Sequence, residues 1–246
     1  PHIFLDEIMR QAEESEIIQL TMAIRQDKYV NEYRGKEVQV ITEDEVVDGM
    51  YHWADQILVA TNRKRLEINN FMRKALGHTG ENPDVGEKII CLRNAWDVLD
   101  TKGEMALVNG TIGTIESIES DVMKYPLYRF PEVPIYRITL RTDDGEIYEN
   151  LIVDQETIKS GKKFLSSQEE YRLIQAAKNN PFIEVPLEFN YGYAITGYRS
   201  QGSEWNKVLV FEEAFPFDPE IHRKHLYTTC TRASEKLVLV KQLGQI

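Results

Sequence analysis

Short apolar segments that alternate with amphipathic helices are the feature of this sequence that most constrains its fold. Residues 56–60 read Gln-Ile-Leu-Val-Ala, an apolar segment of the kind that a parallel sheet buries on both faces. Thr61 and Asn62 follow as a predicted N-cap, and residues 63–76 carry apolar side chains at helical spacing. Strand, capped turn and helix in this order predict an α/β layer built on a parallel sheet.

The two ends of the chain carry the same pattern of strands and helices. Residues 42–45 form a capping box, which predicts that a helix begins there and continues to about Trp53. Further predicted helices cover residues 6–26 and 218–231, and further predicted strands cover residues 38–41, 208–211 and 235–240. Both ends are therefore expected to contribute to one doubly wound sheet.

The middle of the chain has a different pattern. Predicted short strands there cover residues 88–92, 106–108, 111–118, 135–141 and 146–153. Asn109-Gly110 is a typical hairpin turn, and the proline-containing residues 121–134 predict a long hairpin loop. We expect residues 1–85 and 154–246 to form one α/β domain, with residues 86–153 inserted as a small antiparallel barrel.

The composition excludes several classes of protein. A net charge of −11 argues against binding of nucleic acid by bulk electrostatics, but leaves room for a local basic surface. No segment approaches the roughly 20 apolar residues of a membrane span, and the first residues lack a signal-peptide pattern. Cys91 and Cys230 lie far apart, which favours free thiols in a reducing compartment. We therefore expect a cytoplasmic protein without a membrane partner.

Several common motifs are missing from the sequence. No phosphate loop of the form Gly-x-x-x-x-Gly-Lys-Ser/Thr occurs, and no Gly-x-Gly-x-x-Gly begins a helix. The histidines have no spacing typical of a metal site, and the pair His222 and His225 is more typical of a solvated helix face. The sequence begins without methionine, so we expect it to be a piece of a longer chain.

A polar corner between two apolar runs carries the densest set of reactive side chains. Residues 193–196 and 208–211 are largely apolar, and residues 199–204 between them read Arg-Ser-Gln-Gly-Ser-Glu. This pattern predicts a guanidinium, two hydroxyls, an amide and a carboxylate at the exposed end of a buried strand, where α/β proteins bind ligands. A polar turn between two core strands would give the same pattern, so both interpretations stay open.

Four stretches of the sequence occur together in a known order. Residues 5–15 read Leu-Asp-Glu-Ile-Met-Arg-Gln-Ala-Glu-Glu-Ser, and residues 57–63 read Ile-Leu-Val-Ala-Thr-Asn-Arg before a helix. Residues 196–204 read Thr-Gly-Tyr-Arg-Ser-Gln-Gly-Ser-Glu, and residues 226–233 read Leu-Tyr-Thr-Thr-Cys-Thr-Arg-Ala. The first, third and fourth stretches resemble motifs IV, V and VI of superfamily 1 DNA helicases of the RecD/Dda type. The resemblance spans nearly the whole chain and implies the second RecA-like domain, with an SH3-like barrel at residues 86–153.

The resemblance implies that ATP binds between this domain and an N-terminal RecA-like domain of the same protein. Arg10 in motif IV and Arg232 in motif VI match the arginines that this family directs at the γ-phosphate, where a guanidinium stabilises the transferring phosphoryl group. Gln201, Gly202 and Glu204 of motif V are expected on the nucleotide side. The family places its phosphate loop and Mg²⁺ ligands in the other domain, so we expect no metal ligand here.

The same resemblance assigns contacts with DNA phosphates to polar residues that follow two strands. The expected contacts are Thr61, Asn62, Thr196, Tyr198, Arg199 and Ser200. For Thr61, a helix N-cap without any ligand fits the sequence equally well. Tyr198 stands where the family usually has His, and Arg199 stands where it usually has Lys. Arginine keeps the positive charge, whereas tyrosine does not titrate near neutral pH, so any role of that histidine is not carried over.

The expected function of the complete protein is ATP-driven translocation on single-stranded DNA, 5′ to 3′ by resemblance, with unwinding of duplex DNA. We expect a monomer whose N-terminal motor domain completes the ATP site, and we expect this chain alone to be inactive. One alternative is a non-catalytic module that docks nucleic acid or proteins. Another is the helicase subunit of an exonuclease with a role in DNA repair or replication. No cluster of metal-binding carboxylates in the sequence supports nuclease chemistry.

Overall fold

The structure is a computed structural model that describes residues 15–28, 30 and 32–241. These residues form two compact units. The first unit combines the described residues up to Met72 with those from Tyr193 onward, and the second unit runs from Arg73 to Gly192. The second unit is longer than the insertion predicted at residues 86–153, because the residues up to Gly192 pack with it. No helix in the described ranges is long and apolar enough to cross a membrane.

A six-stranded sheet forms the centre of the first unit. In chain order its strands are β1 (Tyr33–Arg34), β2 (Val38–Thr42), β3 (Gln56–Val59), β11 (Ala194–Thr196), β12 (Trp205–Phe211) and β13 (Ala233–Lys241). The spatial order is β1, β2, β13, β12, β3, β11, and only the pair of β1 and β2 is antiparallel. Every residue of β3 is buried, as its apolar sequence predicts. The predicted α/β class with a parallel sheet is therefore confirmed.

Among the described residues, four α-helices belong to the first unit: α1 (Glu16–Arg25), α2 (Asp48–Trp53), α3 (Asn62–Ala75) and α6 (Pro219–Cys230). The last three residues of α3 fall in the second unit. The helix α1 buries Ile17, Leu20 and Ile24, which share one face because they are three and four residues apart. The helix α6 begins at a strong N-cap, since the Asp218 side chain accepts a hydrogen bond from the backbone N–H of Ile221. Local sequence signals thus explain where these helices lie.

The predicted helix at residues 42–53 is broken into two pieces. The capping box is present, because the backbone N–H of Thr42 donates to the Glu45 carboxylate at 3.1 Å. It opens only a short 3₁₀ turn, Glu43–Glu45. Val46 and Val47 then adopt extended backbone conformations before α2 begins. Two consecutive β-branched residues favour this extended conformation, and the prediction of one continuous helix was wrong.

The start of α1 is fastened to the turn before β2 by one carboxylate. Glu16 accepts hydrogen bonds from the backbone N–H groups of Glu37, Val38 and Lys36 at 2.7, 3.0 and 3.1 Å. These bonds, that from Glu37 first, lower the pKa of Glu16 to about 2. A Cβ atom on Gly35 would clash with the side chains of Glu16 and Tyr33, so a larger residue there would displace the Glu16 carboxylate from these bonds.

The second unit contains antiparallel sheets and two helices. Its strands are β4 (Lys88–Cys91), β5 (Ala95–Leu99), β6 (Ala106–Leu107), β7 (Ile112–Met123), β8 (Val133–Thr142), β9 (Ile147–Asp154) and β10 (Phe189–Tyr191). Its helices are α4 (Gln155–Ser160) and α5 (Ser167–Asn179). Five strands form one sheet in the order β10, β4, β7, β8, β9, and β5 pairs with β6. The antiparallel arrangement agrees with the prediction, and its likeness to an SH3 barrel stays a prediction.

Three parts of this unit differ from the sequence-based expectation, and one of them is β10, for which no strand was predicted. The strand β5 was not predicted, because its residues, Ala-Trp-Asp-Val-Leu, do not alternate regularly between apolar and polar side chains. The loop predicted at residues 121–134 is much shorter, since β7 and β8 pair as far as Met123 and Val133. The remaining connection packs apolar side chains against a buried cluster, so it is part of the core of the unit.

Candidate functional site

The ends of β3 and β11 bring two of the predicted motifs together. These strands are parallel neighbours, and Thr196 at the end of β11 pairs with Val59 at the end of β3. The chain continues from β3 into the N-terminus of α3, and from β11 into a short 3₁₀ helix, Gly197–Ser200. Both segments therefore lie at the carboxyl edge of the sheet, which is the usual ligand-binding edge of α/β folds.

Thr61 is held by an acidic side chain from a distant part of the chain. The Glu213 carboxylate accepts hydrogen bonds from the backbone N–H groups of Ala60 and Thr61 at 2.7 and 2.8 Å. It also accepts one from the Thr61 hydroxyl at 2.5 Å. The same hydroxyl accepts from the backbone N–H of Lys64 at 3.2 Å and thus caps α3. The N–H and hydroxyl groups of Thr61, which were expected to bind a DNA phosphate, therefore donate to Glu213.

Asn62 and two arginines extend this edge of the sheet. The Asn62 side chain accepts a hydrogen bond from the guanidinium of Arg65 at 3.2 Å, and Arg65 is buried. Burial lowers the pKa of Arg65, and the positive charge of Arg199 lowers it further. Arg199 of motif V and Arg65 of α3 are thus close enough to repel each other. Sequence reasoning missed Arg65, because a single arginine on an amphipathic helix carries no distinct signal.

The short helix Gly197–Ser200 packs tightly against α6. A Cβ atom on Gly197 would lie 2.6 Å from both His225 Nε2 and Thr229 Oγ1, so only glycine fits there. Ser200 has no exposed surface, and its hydroxyl donates to the carbonyl of Gly197 at 2.7 Å. The hydroxyl proton of Ser200 thus serves the turn itself, and the contact of Ser200 with DNA stays a prediction. Thr196 is also buried.

Tyr198, which stands where the motif usually has a histidine, lies beside the histidine His225 of α6. The Tyr198 side chain is 60% exposed, and its ring centre lies 5.7 Å from that of His225 on α6. Both residues line a pocket of about 170 Å³ together with Gln201 and Lys224. His225 Nε2 is buried without a hydrogen-bond partner among the described residues. Burial lowers the pKa of His225, and the charge of His222 contributes in the same direction.

Arg232 connects motif VI to motif V at the opposite edge of the sheet. Its Nε donates to the carbonyl of Thr228 at 3.0 Å, and its Nη1 donates to the carbonyl of Ser203 at 3.3 Å. Its own carbonyl accepts from the backbone N–H of Trp205 at 2.9 Å. Arg232 is half-buried, whereas Gln201, Gly202 and Glu204 are exposed. Gly202 has φ +89°, a conformation that favours glycine, so the motif turns sharply here.

The predicted residues thus fall into two groups in the first unit. Thr61, Asn62, Thr196 and Arg199 follow strands at the carboxyl edge, whereas Glu204 and Arg232 lie where β12 and β13 begin. Arg10 lies outside the described residues. Neither Glu213 nor His225 was recognised from sequence, since each acts through a contact with a residue far away in the chain.

One cluster of possible metal ligands occurs in the second unit. Among the described residues, His78, Asp84 and Glu87 bring their ligand atoms within 4.8 Å of one another. Glu87 is fully buried, and both of its carboxylate oxygens bind Arg73, at 2.6 and 3.1 Å. Because this carboxylate is already neutralised by a guanidinium, the cluster does not fit a divalent cation.

Comparison with known proteins agrees with this arrangement of motifs. Residues 191–240, which include β11, the polar corner, β12, α6 and most of β13, match the UvrD-like helicase C-terminal domain. The match covers the part of the chain that carries the stretches similar to motifs V and VI. No curated protein matches it in sequence.

Two solved helicase structures are similar to this chain. The Pif1 helicase from Candida albicans has a TM-score of 0.50 and 14% identity, over 94% of this chain and 54% of that one. Pif1 from Bacteroides in complex with ADP-AlF3 and ssDNA has a TM-score of 0.48 and 15% identity, over 92% of this chain and 49% of that one. The similarity to the Candida albicans structure shows that this chain has a RecA-like fold. The chain spans about half the length of these solved structures.

Proposed function

We propose that this chain is the C-terminal motor half of an ATP-dependent DNA helicase of the RecD/Dda type. The observation that carries the proposal is the physical link between motifs V and VI through Arg232. One guanidinium contacts the carbonyls of Thr228 and Ser203, so a displacement of either motif is transmitted to the other. A motor needs such a link, because closure around ATP has to move the segment that holds the DNA.

The proposed DNA side is the carboxyl edge of the sheet in the first unit. Arg199 supplies a permanent positive charge there, and Arg65 lies close enough for the two charges to interact. A phosphate beside both guanidinium groups would relieve their mutual repulsion. Asn62 holds Arg65 in position, and Tyr198 adds an exposed aromatic ring. These contacts follow the DNA backbone and do not read its sequence.

The proposed nucleotide side is the edge where β12 and β13 begin. Arg232 would reach the γ-phosphate after releasing the carbonyl of Thr228 while keeping that of Ser203. Gln201, Gly202 and Glu204 would line the approach. Arg10 remains a candidate for the second arginine. The polar residues on this edge fit one wall of an ATP site, with the phosphate loop and Mg²⁺ ligands supplied by the N-terminal motor domain. We accordingly propose that this half alone neither hydrolyses ATP nor unwinds DNA.

The decisive experiment is DNA-stimulated ATP hydrolysis by the full-length protein with Arg232→Ala. Loss of an arginine that stabilises the transferring phosphoryl group lowers kcat by about 10³-fold or more. Arg223→Ala is the matched control, because Arg223 lies on α6, the helix that precedes Arg232, and pairs with Asp27 at 3.2 Å. Unchanged turnover in Arg232→Ala would refute the role of this arginine. DNA binding without any DNA-stimulated hydrolysis by the full-length protein would favour a docking module.

A further inference from the structure

The small pocket between motif V and α6 has no acidic side chain among the described residues that line it. Tyr198 and Gln201 of motif V line it together with Lys224, His225 and Thr228 of α6. Four other pockets in the described part of the chain are each lined by two or more carboxylates. On a chain with a net charge of −11, a pocket with a lysine, a histidine and no carboxylate suits an anion.

The volume of this pocket, about 170 Å³, limits the ligands that it can hold. A single bound water molecule needs only about 10–15 Å³ of such space, whereas pockets for drug-sized ligands measure about 300–1,000 Å³. The pocket is therefore too small for a nucleotide, but it has room for a small group such as a tetrahedral oxyanion.

His225 contributes a nitrogen atom that needs a hydrogen-bond partner. Its Nε2 is buried and makes no hydrogen bond to any described residue. This nitrogen lies next to Gly197, which also lines the pocket, since a Cβ atom on Gly197 would be 2.6 Å from it. A neutral imidazole can carry its proton on Nε2 and donate it. Because an unpaired buried polar atom is costly, a ligand that accepts from Nε2 gains binding free energy.

The surroundings of His225 favour its neutral form in the absence of a ligand. Burial lowers the pKa of His225, and the charge of His222 lowers it further. The charge of Glu213 acts in the opposite direction, but this carboxylate is already bound to Ala60 and Thr61. An anion in the pocket would add a negative charge beside the imidazole and would favour its protonated form, in which both ring nitrogens are donors.

Lys224 supplies the positive charge of the pocket. Its Nζ pairs with Glu220 at 2.6 Å, but both side chains are largely exposed. An ion pair in contact with solvent is weak, so Lys224 can leave Glu220 for an anion. Gln201 and Tyr198 are exposed as well, and they offer an amide and a hydroxyl as further donors.

We propose that this pocket binds a free oxyanion of the size of inorganic phosphate, held by Lys224, His225 and Gln201. Lys224 turns from Glu220 towards the anion, and the His225 imidazole and the Gln201 amide donate hydrogen bonds to its oxygens. Because Nε2 of His225 is buried, the exposed Tyr198 ring shifts to let the anion reach it. Inorganic phosphate is a product of the ATP hydrolysis proposed above, so the choice of this ligand rests on the proposed function, whereas the anion site does not.

The test follows the histidine ring resonances of the purified chain by NMR as the pH is changed, in inorganic phosphate and in chloride at equal ionic strength. The spectrum of His225→Gln assigns the resonances of His225. Phosphate moves the titration midpoint of His225 upward by about one pH unit, because an opposite charge within about 4–6 Å stabilises the imidazolium. At a fixed pH the ring resonances of His52 on α2 serve as the reference and do not move with phosphate.

Substitutions of exposed residues test the other two contacts without disturbing the fold. Lys224→Ala raises the phosphate concentration that gives half of the response about tenfold or more, as expected for the loss of one charge-assisted hydrogen bond, and Gln201→Ala raises it by a smaller factor. Arg223→Ala is the matched control, because it removes the neighbouring cation of α6, which pairs with Asp27 at 3.2 Å, and it leaves the response unchanged.

Each outcome separates this inference from the proposed function. An unchanged midpoint of His225 in phosphate refutes the anion site, and so does an equal response of Lys224→Ala and the wild type. If single-stranded oligothymidylate moves the His225 resonances and inorganic phosphate does not, the pocket takes a phosphate of the DNA backbone and the free-anion proposal is wrong. A response to phosphate together with unchanged ATP hydrolysis in Arg232→Ala keeps the anion site and refutes the role of that arginine.

Discussion

Glu213 and Thr61 provide the sharpest test of the geometry, because they are 152 residues apart in the chain but share two hydrogen bonds. The perturbation is a pair of substitutions, Glu213→Gln and Thr61→Val, made singly and together. Glutamine keeps the shape of glutamate but loses its charge, and valine keeps the shape of threonine but loses its hydroxyl. Both changes remove polar interactions without opening a cavity.

The expected magnitudes follow from the bonds that each substitution removes. A hydrogen bond to a charged group contributes about 1.5–3 kcal/mol, against about 0.5–1.5 kcal/mol for a neutral one. Glu213→Gln weakens the bonds from Ala60 and Thr61, which gives a loss of about 2 kcal/mol. Thr61→Val loses the hydroxyl bond and the cap on Lys64, which gives about 1–2 kcal/mol. The double variant loses about 1 kcal/mol less than the sum, since Glu213→Gln weakens the same Thr61–Glu213 bond that Thr61→Val removes.

Urea unfolding followed by circular dichroism measures these free energies. Thr61→Ser, which retains the hydroxyl, and Glu235→Gln, which removes an exposed carboxylate on β13, are the matched controls. Additive effects, within about 0.3 kcal/mol, would refute the contact. Thr61→Val also tests the DNA contact that the sequence predicted for Thr61. Because the Thr61 hydroxyl donates to Glu213, we expect Thr61→Val to leave the affinity for single-stranded DNA unchanged. A clear loss of affinity would show that phosphate displaces Glu213.

Two further predictions concern the stability of the first unit. The pKa of Glu16 is lowered from 4.5 to about 2, so this carboxylate stabilises the folded state above pH 4.5, and the contribution is lost as the pH falls towards 2. Glu16→Gln therefore flattens the fall in Tm over that range. An unchanged pH profile of Tm would contradict the anchoring bonds. Gly197→Ala forces a Cβ atom against His225 and Thr229 and lowers the unfolding free energy by about 1–3 kcal/mol. If Gly197→Ala unfolds at the same urea concentration as the wild type, α6 does not pack as closely as described.

Much of the fold follows from local sequence patterns. The apolar segment that became β3 and the capped turn before α3 were predicted within one residue, because strand burial and helix capping act over short distances. The division into units was less accurate, since the helical composition after residue 154 resembles that of the α/β layer. Only contacts show that α4 and α5 belong to the second unit. The missed strand β5 lacked a regular period.

The sequence by itself determined which chemical groups are available and roughly where along the sheet they emerge. Motifs V and VI could be recognised from their residues. Residues at the end of β11 and residues at the start of β12 and β13 lie at opposite edges of the sheet, because these strands run in the same direction. The tertiary structure decided which groups remain free to act. In the tertiary structure the Ser200 hydroxyl is buried, Thr61 donates to Glu213, and His225 of α6 lies beside Tyr198. Such contacts join residues that are distant in the chain, and a local pattern of spacing and polarity carries no information about them.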